Sequence, residues 1–154
     1  MGNGYVINCK NCNYRFEAML GIGMLFPVEY EKTVNDIRNG KYGKEYKEFF
    51  DAHQNAAINC GAEIAICDKC GKLQIIKNMS LHLPKDDNAQ VDGYVMPEDL
   101  TSDFNKVKDY EHKCSCDGNM RIIKFPDELF NGEINCPECG ERLEFDPLNI
   151  MFWD

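Results

Sequence analysis

Cys9-Lys10-Asn11-Cys12, Cys67-Asp68-Lys69-Cys70-Gly71, Cys114-Ser115-Cys116-Asp117-Gly118 and Cys136-Pro137-Glu138-Cys139-Gly140 are the four short stretches whose reading decides this fold. Eight of the nine cysteines of the 154-residue chain fall in them, and Cys60 alone stands outside. A Cys-x2-Cys pair makes a tight turn that sets both sulfurs on one side, with backbone amides aimed at them. The turn needs a residue tolerant of positive φ after its second cysteine, which Gly71 and Gly140 supply. Asn13 can fill that place after Cys12, because asparagine tolerates the left-handed region. Cys114-Ser115-Cys116 is one residue shorter, so its turn must differ.

The flanks of the pairs alternate apolar and polar residues with the period of a strand. Tyr5-Val6-Ile7 enters the first pair and Tyr14-Arg15-Phe16 leaves it. Glu63 to Ile66 and Leu73 to Ile76 flank the second. Met120 to Phe125 follows the third, and Arg142 to Phe145 follows the fourth. Each pair therefore reads as the tip of a β-hairpin. A redox-active Cys-x2-Cys would instead open a helix.

Nine cysteines is an odd number, and Met1 to Cys9 has neither a basic segment nor an apolar one of the kind that opens a secretory signal. Metal ligation is thus favoured over a disulfide framework, and the expected compartment is the cytoplasm. Four thiolates close a tetrahedral shell around Zn²⁺ at about 2.3 Å. Pairing within halves is expected: Cys9, Cys12, Cys67 and Cys70 at one site, Cys114, Cys116, Cys136 and Cys139 at the other. The motive is the 19-residue gap from Cys116 to Cys136, which suits a local hairpin, against 54 residues from Cys12 to Cys67. His112, two residues before Cys114, is an alternative ligand to a member of the short pair. Cys60 reads as a buried, inert thiol. His53 closes a helical stretch, and His82 sits in a strand exit.

These residues resemble the zinc-ribbon superfamily, whose hallmark is two such knuckles at the ends of β-hairpins. Cys136-Pro137-Glu138-Cys139-Gly140 matches that knuckle closely and Cys67-Asp68-Lys69-Cys70-Gly71 nearly as well, while the short third pair departs from it. The layout of the chain is also similar to small, uncharacterised bacterial proteins with paired zinc ribbons. The resemblance covers most of the chain and implies no activity.

The expected fold class is α+β: two small antiparallel zinc-ribbon units, the first with a helical insertion. The charge divides the chain. Residues 1–83 carry a net of +1 and residues 84–154 a net of −10, within a total of −9. The expected organisation is a first unit over 1–83, an acidic connection over 84–113 and a second unit over 114–154. The insertion covers about 27–53. Pro27 suits the start of a helix, and Tyr30, Val34 and Ile37, then Tyr42, Tyr46, Phe49 and Phe50, recur at helical spacing. Met19 to Phe26 reads as a buried loop. Leu100, Phe104 and Val107 have helical spacing too, although 107–113 reads equally as a strand.

Composition narrows the function. No apolar run reaches the length of a membrane-spanning helix, so no membrane association is expected. Eight thiolates on two divalent ions would lower the net charge to about −13. Such an acidic chain is a poor ligand for phosphates, and only the first half, through Lys10, Arg15, Lys69, Lys72 and Lys77, offers a nucleic-acid surface. No nucleophile elbow, phosphate loop or His-Glu-x2-His string is present, and catalytic zinc keeps an open position that four cysteines would close. The expectation is a non-catalytic protein holding two Zn²⁺ that serves as an adaptor or interaction module for a protein partner. The alternatives are a rubredoxin-like electron carrier with iron at the first site, since four thiolates also hold Fe, and a nucleic-acid-binding ribbon.

Overall fold

The computed structural model describes residues 2–148 and 150–153. It is α+β, with ten strands and four helices among the described residues. The strands are β1 (Gly2–Cys9), β2 (Arg15–Gly21), β3 (Ala57–Ile58), β4 (Ala62–Cys67), β5 (Leu73–Lys77), β6 (Leu81–Pro84), β7 (Phe104–Lys108), β8 (Met120–Ile122), β9 (Leu143–Phe145) and β10 (Met151–Trp153). The helices are α1 (Phe26–Arg38), α2 (Lys44–Ala52), α3 (Pro97–Ser102) and α4 (Asp127–Phe130). No helix is long and apolar enough to cross a membrane among the described residues.

Two compact units result, and neither is a half of the chain. Unit 1 is residues 1–23, 62–76 and 111–154, and unit 2 is residues 24–61 and 77–110. The expected division at 84 and 114 is therefore corrected. Both ends of the chain belong to one unit, because β1 at the start takes β9 and β10 from the end as sheet partners. The acidic connection is no separate linker, since its α3 and β7 are elements of unit 2.

Unit 1 is built on a seven-stranded sheet with the path β10-β1-β2-β4-β5, to which β8 adds along β4 and β9 along β1. The alternation read in the sequence explains its interior: Ile7, Ala18, Ile64, Ile123, Leu129, Ile134 and Leu143 are buried in one cluster. A set of aromatic rings flanks that cluster. Tyr5, Phe125 and Phe145 meet edge to face at centroid distances of 4.7 to 5.6 Å, a favoured geometry for ring pairs. The tail packs back on the sheet as expected, with Gly2 opposite Trp153 in the β1–β10 register.

A polar clamp holds the α4 turn to β8. Arg121 donates two bonds to the buried Glu128 carboxylate at 2.9 and 2.8 Å, and the Lys124 amide adds a third at 2.7 Å. Arg121 first, and the Lys124 amide with it, holds the Glu128 carboxyl below the usual carboxylate range. A lowered carboxyl stabilises fully above its unfolded pKa of about 4.3 and loses that contribution as pH falls through its folded value. Glu128→Ala should therefore lower unfolding free energy at pH 7 by about 2 kcal/mol, most of it from the two charge-assisted bonds to Arg121. In paired denaturant titrations, the gap between variant and wild type should narrow below about pH 4.

Unit 2 packs α1 and α2 with the sheet β3-β6-β7. Helix α1 buries Phe26, Tyr30, Thr33 and Ile37, and α2 buries Tyr46 and Phe50, so the helical spacing in the sequence is the core stripe of both helices. The Tyr46 hydroxyl donates to the Met79 carbonyl at 2.8 Å. His53 caps α2 and donates from Nδ1 to the Phe49 carbonyl at 2.9 Å. Two expectations fail here. Met24 and Leu25 are 77% and 72% exposed, because β2 ends at Gly21 and the chain turns outward before α1. The mixed signal over 97–113 resolves into the short helix α3 followed by the edge strand β7, which pairs with β6. Cys60 is buried in this unit beside the Thr33 hydroxyl, and burial pushes its thiol up to about 11. That agrees with an inert thiol.

Candidate metal centres

Register decides which cysteines meet. Strand β1 ends on Cys9, and the antiparallel β1–β9 pairing sets Cys9 opposite Leu143, just beyond the fourth knuckle. Strand β4 ends on Cys67, and the β4–β8 pairing sets Cys67 opposite Met120, just beyond the third knuckle. The sulfurs accordingly gather in two groups: Cys9, Cys12, Cys136 and Cys139, and Cys67, Cys70, Cys114 and Cys116. Within each group all four lie within 4.8 Å of one another.

This corrects the expected grouping of Cys9, Cys12, Cys67 and Cys70 at one site and Cys114, Cys116, Cys136 and Cys139 at the other. The first pair joins the fourth and the second joins the third, so one ribbon is nested inside the other. The loop-length argument failed because closure entropy grows slowly, by about 0.6 kcal/mol for each doubling of loop length. Joining Cys12 to Cys136 rather than to Cys67 costs little more than that, and seven strands in register repay it. His112 stands outside both groups, and its carbonyl accepts the Met120 amide at 2.9 Å.

Each turn is closed by its own backbone. Cys9 N–H donates to the Tyr14 carbonyl at 3.0 Å, Cys67 to Lys72 at 3.1 Å and Cys136 to Glu141 at 2.6 Å. Gly71 and Gly140 have φ of 71° and 81°, as the sequence required, and donate to the carbonyls of Cys67 and Cys136. The Lys69 and Cys70 amides point at Cys67 Sγ at 3.4 and 3.5 Å. The short third pair turns differently. Asp117 takes positive φ, 63°, in a place where the second and fourth knuckles use glycine, and the Cys114 amide donates to Gly118 at 2.9 Å, whereas Asn13, expected to take that conformation after the first pair, does not. Asp68 braces this turn from the facing knuckle, accepting the Asn119 amide at 2.8 Å and its side chain at 3.2 Å.

The donor sets fit a tetrahedral ion. The sulfur pairs Cys9–Cys139, Cys12–Cys136, Cys67–Cys116 and Cys70–Cys114 are 3.4, 3.6, 3.5 and 3.8 Å apart. Sulfurs at about 2.3 Å from one centre stand about 3.8 Å apart, whereas a disulfide needs about 2.05 Å. Proton affinities within each group diverge. The Cys116 amide draws Cys114 down to about 6, and the Glu141 amide with the Asn11 side chain draws Cys139 down to about 7. Cys12 and Cys116 receive amides from Tyr14 and Gly118, yet burial and the neighbouring sulfurs drive both up to about 12. Four thiolates cannot coexist so closely without a cation, and a divalent ion removes that obstacle.

Gly118 is the ligand-positioning residue that sequence reading passed over. A Cβ built there would stand 2.5 Å from Cys67 Sγ and 2.8 Å from Lys69 Cβ. Its only signal in the sequence is a glycine two places after the short pair. Gly118→Ala should displace Cys67 and weaken metal at that centre by at least about tenfold, in the range of second-shell losses. Competition with a zinc indicator should show one ion weakened and the other unchanged.

Comparison of this chain with protein-family models, with curated proteins and with solved structures returns no match. The functional reading therefore stands on the two centres themselves.

Proposed function

We propose that this chain is a non-catalytic, cytoplasmic zinc protein of zinc-ribbon type that serves as an interaction module for a protein partner. The observation that carries the metal reading is the pair of four-sulfur groups at tetrahedral spacing. Four cysteines close each shell, leaving no ligand position for a substrate. Thiolate ligation suits a reducing compartment, and all nine cysteines are unbridged. The net charge of −9 disfavours nucleic acid as the partner. An exposed apolar group at the start of α1, formed by Met24, Leu25 and Val28, supports a protein partner instead.

Native mass spectrometry of the purified protein tests the metal, with two Zn²⁺ per chain as the expected result. Iron is the competing reading, since a site of four cysteines holds either ion. A red protein absorbing in the visible would favour electron transfer, and a colourless one with two zincs the adaptor.

A further inference from the structure

Between the two knuckle systems of unit 1 lies a cavity of about 350 Å³. Cys70 and Cys116 of one centre line it, as do Pro137 and Glu138 from the knuckle of the other, with Tyr14 contributing a ring. The knuckles approach closely here: a Cβ on Gly71 would sit 3.7 Å from Pro137 Cβ. Resting on the zinc reading, each centre of four thiolates and one Zn²⁺ carries a net charge of −2. Glu138 adds another negative charge, with its Oε2 4.0 Å from Cys12 Sγ. Lys72 is the one cation among the lining residues.

The geometry points to this cavity as the receptor for an arginine side chain of a basic segment on the protein partner. A cavity lined by two sulfurs of one dianionic centre and by a carboxylate from the knuckle of the other selects a cation and repels phosphate. Guanidinium suits it better than ammonium. Its planar fork can bond the Glu138 carboxylate while its face lies on an aromatic ring, and it sheds water more readily than an ammonium does. Tyr14 supplies that ring. Sulfur of a zinc-bound thiolate remains a hydrogen-bond acceptor, and Cys70 is exposed. The acidic residues of unit 2 offer a diffuse alternative, which the test separates.

The test uses the full chain with its metal, labelled with ¹⁵N and titrated with a blocked pentapeptide of glycine and serine around one arginine. The amides of Lys72, Ser115 and Glu138 should shift saturably, and less so at high salt. Lysine or citrulline in place of arginine should bind at least about tenfold more weakly, as should Glu138→Gln, a surface change that leaves the zinc count at two. Equal binding of the citrulline peptide, silent amides at Lys72 and Ser115, or shifts confined to residues 86–109 would overturn the proposal. Fewer than two zincs in the untitrated protein would instead overturn the metal reading beneath it, so the two failures are distinguishable.

Discussion

Stripping both ions with a strong chelator should unfold unit 1 and leave much of the helical signal of unit 2. All eight grouped cysteines lie in unit 1, while α1 and α2 lie in unit 2 and bury their own aromatic stripes. Structural zinc in small ribbons contributes an apparent 10–16 kcal/mol per site at neutral pH, in the range of a domain's entire stability of roughly 5–15 kcal/mol. The strands that bear the later knuckles are short: β8, β9 and β10 have three residues each. On the proposed metal reading, such strands hold their register through the knuckles that the ions would clamp. Circular dichroism should lose its strand component and keep most of its helical minimum, and Trp153, the only tryptophan, should shift its emission to the red. Unchanged emission after complete metal removal would mean the ions are not structural.

The second large effect concerns a single sulfur. Cys139→Ser should release one ion of the two and loosen both ends of the chain together. Cys139 meets Cys9 at 3.4 Å, and Cys9 terminates β1, the strand that pairs with β2, β9 and β10. Losing this centre frees the fourth knuckle and the tip of the first hairpin at once. Hydrogen exchange should accelerate in β1, β9 and β10, with the smallest change at Cys67 to Leu73, whose centre keeps its four sulfurs. Acceleration confined to the C-terminal residues would contradict the nested pairing.

The elements were legible in the sequence because their signals are local. Alternation around Tyr5-Val6-Ile7 and Leu143-Glu144-Phe145 gives strands whatever they pair with, and the Tyr30, Ile37, Tyr46 and Phe50 spacing gives helices that bury those rings. The glycines after Cys70 and Cys139 announce their turns in the same local way. What the sequence hid is which elements meet. The partner of β1 lies at the far end of the chain, and no local pattern distinguishes β9 from β5 as its neighbour. The boundary at 84 misled because it followed charge, a property of solvated faces, whereas the units follow which segments lie against one another, as β1 does against β9 and β10. Met24 and Leu25 misled because apolar character does not decide burial where the chain is turning.

Metal stoichiometry in paired cysteine variants tests the central claim most directly. Native mass spectrometry of Cys12→Ser combined with Cys136→Ser should find one ion, because both changes strike the same centre. Cys12→Ser combined with Cys67→Ser should find none. The reverse result, no ion in the first combination and one in the second, would contradict the nested arrangement and restore pairing within halves.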